Sequence, residues 1–426
     1  MSAVTYPRVQ SPAGVIMGIR DNAIDYFHSI PFVEFATDFA PSKPCVAKQE
    51  LIDATSPHPE LIALSITAPA TAHPGADLPV VVYIHGGRYE EGTHADPVFT
   101  GAGLAQENII VVRLGYRTKL AGFVPFPGDA PNYYRGISDC MVGLEWVQHN
   151  IESFGGDPTN VTLMGHSAGA TTVAWLTRKD HYRGAFRQAI ILSPCFPREG
   201  FSARRRTLES AFGGSLSRTA LEKASTQKLS RTYARFRRRY PTDIALGPAP
   251  LEPAEMADIP LLIAVTDQEL AAIPAAKTLD ALRPKWLREY LLHRLALRIG
   301  VLAESYDIWR YSITTQRVAG QLLSDSLIRR WAELIARAAV GTTWVIQWEK
   351  STGPALHCEE LASILGHHIQ PAAQPIVDFI RFGATGCKLP RYTAKSHPVT
   401  CVDLESGQRT VRSNVLSYLS TVFGTD

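Results

Sequence analysis

Apolar residues along this chain gather into short unbroken runs separated by stretches of helical period. The runs are Val80-Val-Val-Tyr-Ile-His85, Ile109-Ile-Val-Val-Arg-Leu114, Val161-Thr-Leu-Met164, Gln188-Ala-Ile-Ile-Leu192, Ile259-Pro-Leu-Leu-Ile-Ala-Val265 and Thr343-Trp-Val-Ile-Gln-Trp348. They are rich in β-branched residues. A continuous run, rather than strict alternation, is what a strand buried on both faces requires. The alternation of such strands with helical patterns predicts an α/β fold, a central mostly parallel sheet flanked by helices. The clearest helix is predicted over 138–151, where Met141, Leu144, Val147 and Ile151 form a stripe with Trp146 offset from it. Phe154-Gly-Gly-Asp-Pro158 then ends that helix and turns the chain into the Val161 strand.

Two insertions interrupt this rhythm. The first, about 198–257, carries Arg204-Arg-Arg206 and Arg235-Phe-Arg-Arg-Arg239. The second, about 271–340, reads as helices, including Lys285-Trp-Leu-Arg-Glu-Tyr-Leu-Leu-His293. Together they predict a helical cap over one end of a single domain spanning 1–426. The arginine clusters read as a solvated helix face, the alternative being a binding surface for an anionic substrate or partner.

Composition narrows the function classes. The 426 residues are 45% hydrophobic and 19% charged, ordinary values for a globular protein. A formal net charge of +3 gives no reason to expect nucleic acid or a membrane as partner. No apolar run reaches the ~18 residues of a membrane span. Met1-Ser-Ala-Val-Thr-Tyr-Pro7 has no basic start followed by an apolar core, so no secretory leader is expected. Six scattered cysteines, none in C-x-x-C spacing, predict neither a zinc site nor a redox motif. They read as reduced thiols of a cytoplasmic protein.

The chemistry lies where runs end. Gly165-His-Ser-Ala-Gly169 follows the Val161 strand and precedes a helical stretch, so Ser167 is predicted at a tight strand-to-helix turn. The flanking glycines, Gly165 and Gly169, keep side chains out of that turn. The N–H of Ala168 would open the helix and face a developing oxyanion. Upstream, His85-Gly-Gly-Arg88 closes another strand, and Gly86 and Gly87 would let backbone amides of Gly87 and Arg88 supply further oxyanion donors. A serine needs a base held by an acid. The order nucleophile, acid, histidine leaves Asp267 and Glu269 as acids after the Ile259 strand. It places His357, after the Thr343 strand, as base. His166, His85, His367 and His368 are less well placed. Such a site needs no metal and no organic cofactor.

These residues resemble the type-B carboxylesterase family, which includes the cholinesterases and p-nitrobenzyl esterases. The most specific stretch runs from Gly143 to Gly169 and is similar to the family's "ALxWVxxNIxxFGGDPxxVTxxGESAG". Phe27-His-Ser-Ile-Pro-Phe32, Gly115-Tyr-Arg117, Ala264-Val-Thr-Asp-Gln-Glu269, Pro354-Ala-Leu-His-Cys-Glu-Glu-Leu361 and Val377-Asp-Phe-Ile-Arg-Phe-Gly383 match further family segments. The resemblance implies an α/β-hydrolase fold and selects Glu269 over Asp267. It implies a serine hydrolase that cleaves small carboxylic esters through an acyl-enzyme on Ser167. The alternatives are a non-catalytic binding protein on the same scaffold, and acyl transfer or lactone opening by the same triad. Four departures stand at the site. His166 replaces a glutamate, Arg88 a third glycine or alanine, Cys358 the glycine after the histidine, and Leu270 the glycine after the acid. The sequence carries no sign of the oligomeric state.

Overall fold

The computed structural model describes residues 5–424. Eleven strands form the main sheet: β1 (Ile19–Asp21), β2 (Ile24–Ile30), β3 (Leu64–Pro69), β4 (Leu78–Ile84), β5 (Ile110–Leu114), β6 (Gly156–His166), β7 (Gln188–Leu192), β8 (Leu261–Thr266), β9 (Thr343–Glu349), β10 (Pro398–Asp403) and β11 (Arg409–Ser413). Their spatial order is β11-β10-β9-β8-β7-β6-β4-β5-β3-β2-β1. Pairing is parallel from β5 through β4, β6, β7, β8 and β9 to β10, and antiparallel at both margins. This is the mostly parallel sheet that the apolar runs predict.

The runs are continuous because both faces of the sheet are covered. Val80, Val82 and Ile84 of β4 enter one core, while Val81 and Tyr83 enter the other. β8 divides the same way, with Leu261, Ile263 and Val265 on one side and Leu262 and Ala264 on the other. The first core takes side chains from helices α1 (Arg135–Asn150) and α2 (Ala168–Leu176). The second takes Leu361, Ile364, Ile376 and Phe379 from the helices that follow His357. The helix expected at 138–151 starts one turn earlier and closes in a 3₁₀ turn, Ile151–Phe154, capped by Gly155 at φ 87°.

In the first insertion, helices Phe201–Phe212 and Thr226–Arg237 pack on each other. Its arginines do not form one solvated face. Arg204 is 2% exposed, pairs with Asp243, and donates to the carbonyls of Ile244 and Ala245. Arg237 pairs with Glu90, while Arg206, Arg235, Arg238 and Arg239 stay exposed. In the second insertion, Val318–Ser324 continues through a π turn, Asp325–Arg329, into Arg330–Ala338, which packs against β8 and β9. That stretch covers the sheet. Among the described residues, no helix is long and apolar enough to cross a membrane.

Candidate active site

The register of the parallel strands gathers the candidate residues at one sheet edge. Gly165 pairs with Ile84 and with Ile191, and His166 with Leu192. Ala264 pairs with Leu192, and Thr266 with Trp348. The segments carrying Gly86, Ser167, Glu269 and His357 therefore leave the sheet side by side.

Ser167 stands between β6 and α2 with φ 56° and ψ −121°. A non-glycine residue there costs roughly 1–3 kcal/mol, which the surrounding packing must hold in place. Its N–H donates to Leu192 O at 2.8 Å. The turn admits no side chain at its flanks. A Cβ on Gly169 would stand 2.1 Å from Ile84 O, and one on Gly165 would stand 2.4 Å from Gly169 O. The loop after β4 rests directly on the turn, since a Cβ on Gly86 would meet His166 O at 2.8 Å and Ser167 Cβ at 3.1 Å. That loop holds three successive residues at positive φ, Gly87 (100°), Arg88 (57°) and Tyr89 (61°). The Arg88 guanidinium leaves the loop toward the first insertion and donates to Asp243 O at 2.7 Å.

Glu269 is 2% exposed, and both carboxylate oxygens are engaged. Oε2 meets His357 Nδ1 at 2.6 Å. Oε1 accepts from Ser193 Oγ at 2.7 Å and from Thr266 N at 2.9 Å. Burial pushes this carboxyl up, but the His357, Ser193 and Thr266 donors outweigh it and hold it below its ordinary value. Asp267 is placed otherwise. It accepts from Ala355 N at 2.8 Å, which ties the acid loop to the histidine loop. His357 N donates to Glu269 O at 3.0 Å and completes that tie. Ser167 Oγ lies 3.5 Å from Cys195 Sγ. Among the described residues, no hydrogen bond joins Ser167 Oγ to His357. Such bonds are often loose in free hydrolases and tighten when substrate binds.

His166 and Cys358 form a second group around His357. The His166 and His357 ring centroids are 4.5 Å apart. Cys358 Sγ is 3.8 Å from His166 Nδ1. His166 Nε2 lies 3.2 Å from Oε1 of Glu360, a contact between two buried side chains. Burial lowers His166, but Glu360 foremost, with Cys358, outweighs it and lifts the imidazole to about 9. Burial likewise lowers His357, and Cys358 together with Glu269 raises it well above its ordinary value. In turn, burial raises the Cys358 thiol, and the two imidazoles outweigh it and bring it to about 6. The donor atoms of His166, His357 and Cys358 all lie within 4.8 Å of one another, close enough to consider a metal ion. Sequence reasoning missed Ser193, Cys195 and Glu360. A serine and a cysteine directly after a parallel strand were the available signal for the first two.

A cleft of about 620 Å³ opens between Glu90 and Glu91, in the loop after β4, and the helix Thr226–Arg237. Phe39, Glu90, Glu91, Leu120, Leu229 and Tyr233 are among its walls.

Residues 60–199 match the model of the Carboxylesterase family. The chain is 35% identical over 165 residues to fumonisin B1 esterase of Sphingopyxis macrogoltabida, covering 37% of this chain and 30% of that protein. It is 33% identical over 217 residues to para-nitrobenzyl esterase of Bacillus subtilis, covering 45% and 44%. The matched stretches thus span less than half the length of either relative. In three dimensions it resembles a solved PNB esterase with a TM-score of 0.77 at 23% identity, over 98% of this chain and 100% of the other. A carboxylesterase of Geobacillus stearothermophilus gives 0.78 at 21% identity, over 98% and 99%. At those identities the structural likeness is one of fold. Residues 60–199 are thus similar to the carboxylesterase family, and the chain carries them on an α/β-hydrolase fold.

Proposed function

We propose that this protein is a serine hydrolase of small carboxylic esters. Ser167 Oγ attacks the ester carbonyl, and His357 takes its proton and passes it to the departing alcohol. Glu269 orients His357 and stabilises the imidazolium. The N–H groups of Gly87, Arg88 and Ala168 hold the oxyanion, and Gly86, Gly165, Gly169 and His166 support the two turns. Water then attacks the acyl-enzyme, His357 accepts its proton, and Ser167 is restored. The observation that carries this reading is the strained turn at Ser167 beside a buried Glu269–His357 pair at 2.6 Å. The esterase names among the sequence relatives support the same substrate class. The ester's entry path would run beneath the helical insertions, which would set its length preference. All six cysteines are unpaired, which supports a reducing, cytoplasmic setting.

The test is hydrolysis of p-nitrophenyl esters from acetate to octanoate by the wild type and Ser167→Ala. Loss of a nucleophile in such a triad lowers kcat by about 10⁴–10⁶-fold. Equal rates for the two proteins would remove Ser167 from the mechanism. No turnover of any ester by folded wild type would favour a binding protein on this scaffold.

A further inference from the structure

We propose that His166, His357 and Cys358 form a binding site for a zinc-class transition-metal ion, and that the bound ion switches the esterase off by taking its base. The ligand atoms are His357 Nε2, His166 Nδ1 and Cys358 Sγ.

Three independent observations carry this. The first is the cluster itself. One thiol and two imidazoles converge within 4.8 Å, with Cys358 Sγ 3.8 Å from His166 Nδ1. Zinc binds sulfur at about 2.3 Å and imidazole nitrogen at about 2.0–2.1 Å, so the three ligand atoms would draw together on the ion.

The second is the outer shell. A histidine that ligates a metal typically gives its other ring nitrogen to a carboxylate. His357 does so, and His166 has a carboxylate at ion-pair distance from its other ring nitrogen. His357 Nδ1 is on Glu269 at 2.6 Å, and His166 Nε2 is 3.2 Å from Glu360 Oε1. Both carboxylates are buried. An ester hydrolase needs one such pair, and the second has no part in the proton transfers.

The third is backbone strain. Cys358 sits at φ 74°, the left-handed region that glycine occupies without cost. A cysteine is held there at some expense, and its side chain is exposed enough for an ion to reach.

Three protein ligands leave a fourth position of a tetrahedral ion to water. Each ligand binds in its deprotonated form, and the displaced protons go to solvent. Once its Nε2 is bound to metal, His357 has no lone pair for the Ser167 proton. The inhibitory half of this proposal rests on His357 being the esterase base, whereas the binding half does not.

The experiment separates the two. Metal-free wild type is titrated with Co²⁺ as a spectroscopic stand-in for zinc, reading the thiolate-to-cobalt charge-transfer absorption. Binding of Zn²⁺ is measured in parallel by calorimetry. One ion per chain is expected, with the absorption present in wild type and absent in Cys358→Gly. Glu360→Gln, which leaves every ligand in place, is expected to weaken binding by about 10–100-fold. Esterase activity of wild type should fall with one equivalent of Zn²⁺ and return with chelator. No charge-transfer band in folded wild type, or equal zinc affinity in Cys358→Gly, would overturn the site. Zinc that binds at Cys358 yet raises activity would overturn the inhibitory role. Binding without esterase activity in the metal-free protein would count against the esterase reading while leaving the site intact.

Discussion

At the residue scale, the replacement of glycine by cysteine after His357 is the departure with the clearest chemical consequence. The thiol helps hold the His357 imidazole well above its ordinary value. A base held protonated is idle, so kcat/KM should rise with pH through a limb displaced to high pH. Cys358→Gly removes that influence and fits φ 74° without strain. With chelator present, its acid limb is expected at lower pH than in wild type. At pH 7, kcat/KM should then rise on the order of threefold to tenfold. A pH–rate profile checks this, and a limb that stays put or moves upward would count against it. The sequence exposed Cys358, His166 and Arg88 as substitutions within a motif. It could not show what they touch. Glu360 reaches His166, and Cys195 reaches Ser167, through contacts between segments far apart in the chain. No local pattern encodes such contacts.

At the element scale, the strands that were legible are those buried on both faces, because burial alone makes an apolar run. The marginal strands lacked that signal. β3 is fully buried but reads Leu-Ser-Ile-Thr-Ala-Pro, with hydroxyl groups and a proline among the apolar residues. β11 is exposed throughout and carries two arginines. The strand-to-helix turn was legible because its glycines have a steric cause. At Gly169, α2 packs against the end of β4, and a methyl group there would press on Ile84 O at 2.1 Å. Backbone cannot yield as a flexible side chain does. Gly169→Ala is therefore expected to destabilise the fold by about 1–3 kcal/mol. The Ser167 turn should shift as well, so activity should fall even in protein that remains folded. Urea unfolding midpoints and ester hydrolysis measured on the same preparation test both. An unchanged midpoint would mean that the packing around Ile84 is looser than the structure gives.

At the scale of the whole molecule, the sheet and the first insertion are joined through Asp243. The insertion was visible in the sequence, but its arginine clusters read as a solvated face because nothing local marks which arginine turns inward. Arg204 turns inward onto the Asp243 carboxylate, which also accepts from the N–H of Arg198 at 3.2 Å and of Ile244 at 2.8 Å. Asp243→Ala would leave Arg204 buried without its partner, a change that typically costs about 3–5 kcal/mol. The same residue's carbonyl takes Arg88, so the loop assigned to the oxyanion is tied to the insertion there as well as through the Glu90–Arg237 pair. Two roles for Arg88 can be told apart by substrate charge. A guanidinium that met a substrate carboxylate would, on replacement by alanine, raise KM for anionic esters alone. A guanidinium that fixes the loop would affect every ester alike, because the backbone donors it positions act on a group common to all. The bond to Asp243 O at 2.7 Å and the Glu90 carboxylate 3.7 Å away favour the second role. Arg88→Ala is accordingly expected to lower kcat/KM by a similar factor for neutral and anionic esters. That factor should be about tenfold, below the 10²–10³ that follows complete loss of an oxyanion donor. The fall should appear in kcat rather than KM, since the oxyanion exists only in the transition state. A KM increase confined to anionic esters would instead make Arg88 a substrate-binding residue and leave the loop held by its glycine-dependent turn and the Glu90–Arg237 pair.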